Sequence, residues 1–393
     1  MVKFAHIADS HLGGWRQPEL QQLNMQTFQK AIQTCVEEKV DFVLFAGDLF
    51  DSAFPPIETL KDTFAEFKKL RDAGIKSFLI AGSHDYSVSG KTFLDVLEKA
   101  GFCEICKYDE NEQEVVLHPS TYQTIHIYGY PGKKSSLEVS SIKKIKIKEP
   151  YEKNFRILML HTTLKEVAEG LPIDSVSLDE LPKADYYALG HVHIDFEKDF
   201  NGKKVIYGGP LFPNNFKELE ELGCGSFYIV EINGYIKITK KEIKLKETMY
   251  IPVEITNALN GTQKIIAELE KRDLKDTIVL LKVYGTITTG KTADINFKEI
   301  QDYIEKAEAF SFLKNTSQLE MEKKEMQIEP QKDKEKIEEV LVEQYKKSNP
   351  SSFNELILPL MDALHVEKQE DEKSAVFESR LFEELSKILK IEF

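Results

Sequence analysis

Histidines and aspartates follow directly after apolar segments at five points in the first half of the chain. These clusters are Asp9-Ser10-His11, Gly47-Asp48-Leu49-Phe50-Asp51, Gly82-Ser83-His84-Asp85, His161, and Gly190-His191-Val192-His193. Each preceding apolar segment is typical of a buried strand. Open α/β folds bind their ligands at the carboxyl edge of the sheet. If the strands share one sheet, the five clusters are predicted to converge on one cleft.

Seven of these side chains are natural ligands for divalent transition metals: Asp9, His11, Asp48, His84, His161, His191 and His193. A mixed imidazole and carboxylate set suits Mn, Fe or Zn, whereas Ca prefers oxygen ligands throughout. His191 and His193 would share one face of a regular strand, so both would reach the same metal cluster. A single His-x-His pair is as often structural, but five such clusters in order favour a metal site.

Strands that alternate with amphipathic helices are predicted to position these clusters. The strand candidates Val2–Ala8, Asp41–Ala46 and Ile75–Ala81 are separated or followed by the helix candidates Pro18–Lys39, Pro56–Ala73 and Lys91–Lys99. This alternation predicts a largely parallel, doubly wound sheet. Later strand candidates have short connections that predict hairpins and a second sheet: Thr124–Tyr128, Phe155–Leu160, Tyr186–Leu189, Lys204–Tyr207, Phe227–Ile232 and Tyr235–Lys240.

The pattern changes after residue 248, so we predict a first domain over residues 1–248. Residues 249–313 read as a compact βαβα unit of ordinary domain size. Residues 314–336 are highly charged and predict a linker or a solvated helix. Residues 337–393 predict short amphipathic helices, with Leu356, Leu360 and Leu364 repeating at i+4. These helices would either dock on the body as a small subdomain or bind a partner protein.

The composition narrows the class of protein. A length of 393 residues suggests two or three domains, and the formal charge of −14 argues against a simple basic nucleic-acid coat protein. No apolar run is long enough to span a membrane, and the N-terminus lacks the pattern of a signal peptide, so we expect a cytoplasmic protein. Cys103 and Cys106 form a single C-x-x-C pair without a second pair, which favours buried thiols over a zinc site.

The order D-x-H, G-D-x-x-D, G-x-H-D, H, G-H-x-H resembles that of calcineurin-like binuclear metallophosphoesterases. The longer stretches FAHIADSHLG, VDFVLFAGDLFD, AGSHD and YYALGHVH resemble the meiotic-recombination-eleven family of DNA double-strand-break repair nucleases, in its archaeal form, with the bacterial SbcD nuclease as a relative. This resemblance implies a layered α/β fold with mixed sheets, a capping domain that contacts DNA, and C-terminal amphipathic helices. It also implies Mn²⁺-dependent cleavage of DNA, as a 3′-to-5′ exonuclease on duplex ends and an endonuclease on single strands.

The resemblance also implies roles for individual residues. It places one metal ion at Asp9, His11, Asp48 and His193, and the other at Asp48, Ser83, His161 and His191, with Asp48 as the bridge. Two Mn²⁺ per subunit are expected, with Mg²⁺, Fe²⁺ or Zn²⁺ as alternatives, and they would activate a water for in-line attack. His84 is expected to touch the scissile phosphate or to protonate the leaving oxygen. Asp85 would orient His84 or, equally, cap the turn.

Two positions depart from the family pattern. The family usually carries Asn where this chain has Ser83, and a hydroxyl is usually a weaker ligand than an amide oxygen, so the second metal is expected to bind loosely. Many relatives in the family carry His where this chain has Asp51, which would alter phosphate contact or substrate choice. Arg16, Lys133 and Lys134 are candidates for phosphate contact, but the lysines would equally form a solvated basic face.

The family further implies partners. The C-terminal helices would grip an SMC-like ATPase of the radiation-sensitive-fifty type, and the Lys91–Lys99 region would join two subunits in a homodimer, unless that helix simply packs on the sheet. Two other functions stay open at this point. One is a metallophosphoesterase for cyclic nucleotides, nucleotides or phosphoproteins, and the other is a weakly active scaffold for the ATPase.

Overall fold

The computed structural model describes residues 1–87, 90, 92–149, 154–168, 173–322, 342–343, 345–346, 354–369 and 372–389. The chain divides into two compact units, residues 1–322 and 323–393. The strands of the described residues are β1 (Val2–Ile7), β2 (Phe42–Ala46), β3 (Lys76–Ile80), β4 (Glu104–Ile105), β5 (Tyr108–Glu110), β6 (Val115–Leu117), β7 (Ser120–Tyr122), β8 (Ile125–Tyr130), β9 (Ile145–Lys146), β10 (Phe155–His161), β11 (Tyr186–Gly190), β12 (Phe196–Phe200), β13 (Lys203–Tyr207), β14 (Gly225–Ile232), β15 (Ile236–Ile243), β16 (Glu247–Glu254), β17 (Thr277–Ile287) and β18 (Ser311–Met321). The α-helices are α1 (Pro18–Glu37), α2 (Ile57–Asp72), α3 (Leu94–Lys99), α4 (Glu138–Ile142), α5 (Lys165–Ala168), α6 (Phe216–Leu222), α7 (Gly261–Leu269), α8 (Phe297–Lys306), α9 (Ile357–Leu364) and α10 (Ser374–Leu389).

The first sheet has the strand order β15-β14-β1-β2-β3-β4. Strands β1 to β4 run parallel, as predicted from their alternation with helices. Strands β14 and β15 form an antiparallel hairpin that extends this sheet beside β1. The hairpin was predicted correctly, but it belongs to the first sheet and not to the second.

The second sheet has the order β12-β13-β11-β10-β8-β7. Its central strands β8, β10, β11 and β13 are parallel, so the prediction that these segments form hairpins is wrong. The reason lies in their connections. Parallel neighbours need a crossover, and the segment between β8 and β10 contains α4 and β9, while that between β10 and β11 contains α5.

The two sheets pack face to face around a shared apolar core. Phe4, Phe42 and Phe78 from the first sheet meet Ile127 and Tyr186 from the second, and all five are buried. The helices α1 and α2 cover the other face of the first sheet. Because the central strands are buried on both faces, their sequences read as nearly continuous apolar runs. That arrangement places the carboxyl ends of β1, β2, β3, β10 and β11 at one edge of the layered sheets.

A three-stranded parallel sheet with the order β16-β17-β18 follows the layered sheets in the sequence. Helices α7 and α8 pack on one face of it, around Ile265, Val283 and Ile300. The predicted βαβα unit is therefore present, but the prediction left out its last strand. Strand β18 covers Ser311–Met321, so the prediction that a linker begins at residue 314 is wrong. The remainder of the predicted linker, residues 323–336, lies outside the described residues.

The other face of this small sheet packs on the layered sheets and helices of residues 1–246. Leu280 and Leu313 of the small sheet contact Leu20 of α1, next to Trp15 and Phe212. Ser311 also donates a hydrogen bond of 2.9 Å from its hydroxyl to Oε1 of Glu19. A buried apolar contact of this kind positions the small sheet firmly against α1 and α6.

The second unit is described in part. Helices α9 and α10 have the predicted helical spacing, but the predicted helix near residues 337–345 lies almost wholly outside the described residues. Leu364, Val376 and Phe382 are exposed large apolar side chains on these helices. Across the part of the chain that the structure describes, no helix is long and apolar enough to span a bilayer.

Candidate metal centre

Tight turns after the strands turn the polar side chains back toward one another. Asp9, His11, Asp48 and His191 all have positive φ angles, of 51°, 42°, 48° and 96°. A positive φ is uncommon for residues other than glycine and concentrates at functional sites. Gly47 also has a positive φ of 90°, and a Cβ there would lie only 2.2 Å from Nδ1 of His161. The sequence therefore needs glycine at this position so that β2 and His161 can approach closely.

One group of ligands comprises Asp9, His11 and His193, each of which offers a ligand atom within 4.8 Å of the others. Asp9 and His11 follow β1, whereas His193 follows β11 of the other sheet. Nε2 of His11 and Nε2 of His193 lie 3.1 Å apart. Oδ1 of Asp9 lies 3.8 Å from Nε2 of His193. Residues from both sheets are thus required for this group.

A second group comprises Asp48, His161 and His191, again with ligand atoms within 4.8 Å of one another. Oδ2 of Asp48 lies 3.1 Å from Nε2 of His161 and 3.6 Å from Nε2 of His11. Asp48 therefore stands between the two groups. A third combination of His11, Asp48 and His84 meets the same distance limit.

Acceptors behind three of the histidines determine which ring nitrogen faces the centre. Nδ1 of His11 contacts Oδ1 of Asp51 at 3.1 Å, and Nδ1 of His193 contacts Oε1 of Glu218 at 2.9 Å. Nδ1 of His161 contacts the carbonyl oxygen of Ala46 at 2.9 Å. A carboxylate or carbonyl at Nδ1 holds the proton there and leaves the Nε2 lone pair for a metal. All three rings therefore present Nε2 as a ligand.

Glu218 and Asn214 were missed by the analysis of motifs. Glu218 lies in the first turn of α6, where its backbone N–H is capped by Asn215. The backbone N–H of Asn214 donates to Oε2 of Glu218 at 2.7 Å, and Nδ2 of Asn214 donates to Oδ1 of Asp51 at 3.2 Å. The only local signal was a helix cap with Asn three residues before Glu. That signal does not reveal which histidine the carboxylate approaches.

The electrostatics of the centre favour a positive charge. Burial lowers the pKa of His161, but Asp48 and Asp9 outweigh it and raise that pKa to about 10. Burial raises the pKa of Asp48, yet His161 and His11 hold it well below its usual range. Burial, with a smaller contribution from His161, lowers the pKa of His191 to about 4 and favours its neutral, metal-binding form.

Divalent metal ions fit these residues. Oδ2 of Asp9 is buried without a hydrogen-bond partner, and Nε2 of His161 faces Oδ2 of Asp48 at 3.1 Å without forming an aligned hydrogen bond, although buried polar atoms are normally satisfied. Both atoms belong to the candidate ligand groups, and imidazole with carboxylate is a suitable set for Mn, Fe or Zn. A cation between the groups would satisfy both atoms at once.

His84 lies at the open side of the centre. Its side chain is 47% exposed, and its ring centroid lies 4.8 Å from that of His11. Nδ1 of His84 lies 2.8 Å from the carbonyl oxygen of Asp51, so Nε2 is the atom available to a substrate. The backbone N–H of His84 donates to Oδ1 of Asp48 at 2.8 Å, which fixes the turn that also carries Ser83.

Of the two roles expected for Asp85, orienting His84 or capping the turn, its hydrogen bonds support the second. Its carboxylate is buried and accepts hydrogen bonds from the backbone N–H groups of Gly82, Leu49 and Phe50. Asp85 therefore caps its own turn and ties it to the loop after β2. The turn-capping alternative describes its position.

The predicted substrate-binding residues have different environments. The carboxylate of Asp51 contacts His11, where we had expected an effect on phosphate. Nζ of Lys133 lies 2.8 Å from Oε1 of Glu110 and above the ring of Tyr130, which favours the alternative of a solvated basic face. Arg16 and Lys134 are exposed, and their phosphate contacts stay predictions.

Residues 2–195 match the calcineurin-like phosphoesterase family. This part of the chain belongs to that family, and with its metal-binding geometry it makes the protein a metal-dependent hydrolase of phosphate esters, as the sequence motifs predicted. The layered α/β architecture is likewise confirmed.

The chain is similar over most of its length to archaeal proteins of one kind. It is 27% identical over 335 residues to the DNA double-strand break repair protein Mre11 of Methanocaldococcus jannaschii, covering 77% of this chain and 86% of that relative. It is 25% identical over 381 residues to the protein of the same name from Archaeoglobus fulgidus, covering 88% and 84%. A crystal structure of a dimetal phosphatase from Danio rerio aligns with 61% of this chain and 96% of its own, at 11% identity and a TM-score of 0.39, too distant to bear on function. The resemblance drawn from the motifs is confirmed.

Proposed function

We propose that this protein is a Mn²⁺-dependent DNA nuclease that hydrolyses phosphodiesters during double-strand-break repair. The observation that carries the proposal is the pair of adjacent ligand groups on either side of Asp48. The similar archaeal proteins are named for repair of DNA double-strand breaks, which supports DNA as the substrate.

Asp9, His11 and His193 would hold one metal ion, and His161 and His191 the other, with Asp48 shared and Ser83 as a further ligand of the second. Two bound ions would lower the pKa of a water and neutralise charge on the phosphodiester. Asp51, Glu218 and the carbonyl of Ala46 hold the histidine Nδ1 protons away from the centre. These contacts prepare the site before any substrate arrives.

His84 would act on the substrate itself. Its exposed ring, held at Nδ1 by Asp51, is positioned for Nε2 to contact the scissile phosphate or donate a proton to the leaving oxygen. A positioned acid of this kind typically contributes 10²–10⁴-fold to the rate. Cleavage independent of base sequence needs contacts to the backbone only. From the resemblance to the repair nucleases, we propose 3′-to-5′ digestion of duplex ends and endonuclease cleavage of single strands.

Partners are part of the proposal. The exposed apolar residues Leu364, Val376 and Phe382 of α9 and α10 support docking to an SMC-like ATPase. Val96 of α3 is 47% exposed and supports a homodimer contact in that region. The small sheet after residue 248 would contribute a further surface for DNA.

The direct test is cleavage of an end-labelled linear duplex and of circular single-stranded DNA, with Mn²⁺, Mg²⁺ or chelator. We expect Mn²⁺-dependent cleavage that His84→Ala reduces by at least about 100-fold, in line with loss of a positioned acid. His118→Ala is the matched control, because His118 is similarly exposed at 49% but pairs with Asp109 away from the centre. Hydrolysis of a small phosphodiester without cleavage of either DNA would replace the proposal with the small-substrate alternative. Metal binding without any hydrolysis would favour the scaffold.

A further inference from the structure

The two ligand groups differ in the acceptors that the Nδ1 atoms of their histidines contact. In the first group, both histidines contact a carboxylate through Nδ1: His11 contacts Asp51 at 3.1 Å, and His193 contacts Glu218 at 2.9 Å. In the second group, His161 contacts the neutral carbonyl oxygen of Ala46. The first group therefore has two additional negative charges close to its ligands.

We propose that the two metal positions bind with unequal affinity, and that Asp51 and Glu218 are positioning residues that make the first position the tighter one. The inference rests on the proposed function, because it assumes that two ions occupy this centre. A carboxylate behind a metal-binding histidine fixes its tautomer and raises its basicity, and removing such a partner typically weakens metal binding 10–100-fold.

Asn214 holds both carboxylates in place. Its backbone N–H donates to Oε2 of Glu218 at 2.7 Å, while its side-chain Nδ2 donates to Oδ1 of Asp51 at 3.2 Å. The backbone of Asp51 is also tied to the first loop, where its N–H donates to the carbonyl oxygen of Leu12 at 3.3 Å. The two carboxylates are thus oriented together by one asparagine.

Neither negative charge is neutralised by a neighbouring cation. Within the described residues, the ion pairs of Asp51 involve only His11 and His84, and that of Glu218 involves only His193. Glu220 on the same helix differs, because it lies 3.5 Å from Nζ of Lys282. Unneutralised carboxylates near the first position add attraction for a divalent cation there, at short range and in a partly buried environment.

The second position has the weaker set of donors. It shares Asp48 with the first, and its remaining charge-neutral ligands are His161 and His191. Ser83, which lies in the neighbouring turn, would add only a hydroxyl where the family resemblance implies an amide. The consequence is ordered loading: the first position fills at low metal concentration, and the pair is complete only at higher concentration.

The experiment is a calorimetric titration of the metal-free protein with Mn²⁺ alone, followed in parallel by electron paramagnetic resonance. We expect two classes of Mn²⁺ site whose dissociation constants differ by at least about 10-fold. A spin-coupled signal should appear only with the second equivalent of Mn²⁺. Asp51→Asn and Glu218→Gln should each weaken the tight class about 10–100-fold and leave the weak class nearly unchanged. His161→Ala should remove the weak class and so identify it.

Glu220→Gln is the matched control, with the same chemical change on the same helix and a side chain 24% exposed against 14% for Glu218. It should leave both classes unchanged. Circular dichroism of each metal-free variant separates lost metal affinity from lost folding.

Two classes of equal affinity would overturn the inference, as would carboxylate variants that weaken both classes alike or neither. The titration contains no DNA, so its outcome is independent of the nuclease assay. Unequal metal binding in a protein that cleaves no DNA would refute the proposed function alone, whereas equal binding in an active nuclease would refute this inference alone.

Discussion

Nε2 of His11 and Nε2 of His193 lie 3.1 Å apart, although 182 residues separate them in the chain. Each ring is held at Nδ1 by a carboxylate, so both Nε2 atoms present lone pairs toward the same point. Two facing lone pairs at this distance repel, so the contact requires either a proton on one Nε2 or a cation beside both. It therefore fits the candidate metal site to which both residues belong.

Ser83→Asn is expected to strengthen the second metal position. The asparagine side chain reaches further than that of serine, and its amide oxygen is a better metal ligand than a hydroxyl. The turn is already fixed because the backbone N–H of His84 donates to Asp48. We predict several-fold tighter binding of the second Mn²⁺ and activity at lower Mn²⁺ concentration. Calorimetry with Mn²⁺ measures the first effect, and unchanged binding of the second ion would show that residue 83 does not contact it.

Asp85→Ala is expected to destabilise the fold. The carboxylate accepts three backbone hydrogen bonds, from Gly82, Leu49 and Phe50, and its loss leaves three buried N–H groups without an acceptor. Each such group costs about 1–3 kcal/mol, so we predict a loss of about 3 kcal/mol or more in the free energy of unfolding. Urea denaturation measures it, with the exposed Asp95→Ala as control. A loss below about 1 kcal/mol would contradict this role of Asp85.

His6 is expected to make the folded state sensitive to acid. Burial lowers its pKa to about 3, from an ordinary value of 6.5 in the unfolded chain. Between these values the unfolded chain binds a proton that the folded chain does not, so stability falls as pH falls below 6.5. This one group changes the free energy of unfolding by up to about 1.4 kcal/mol per pH unit.

The His6→Gln substitution is expected to remove this dependence of the free energy of unfolding on pH. We predict that the variant is less stable than wild type at neutral pH, but that the difference shrinks by about 2 kcal/mol as the pH falls from about 6.5 to about 5. Urea denaturation across that range, with chelator present so that metal does not contribute, measures the difference. A difference that stays constant with pH would contradict the assignment of a neutral, buried His6.

Strand β18 is expected to be necessary for the small sheet. Its residues pair with β17 from Ile278 to Ile287, and Leu313 is buried against Leu280. A chain that ends after residue 313 should melt at a lower temperature and expose α8 to protease, whereas a chain that ends after residue 322 should behave like the whole protein. If the two truncated chains melted at the same temperature, the small-sheet domain would end at residue 313, where the sequence alone suggested.

Much of the fold was readable because its signals are local. The apolar runs before Asp9, Asp48 and His84 mark strands buried on both faces, and the polar residues that follow mark their ends. Strand β18 was missed because exposed and charged residues such as Lys314 and Glu320 occupy much of this edge strand, so no apolar run identifies it. The strand order of the second sheet was missed because the sequence of a short strand does not indicate which strands pair with it.

The sequence by itself determined which residues could carry metal chemistry, since their types and their positions after apolar strands are both local properties. Only the tertiary structure decided how each is used. Asp85 binds backbone N–H groups, Asp51 binds His11, and Glu218 reaches His193 from a helix that the motifs never indicated. These contacts join segments far apart in the chain, and they depend on the packing of two sheets, which no local pattern specifies.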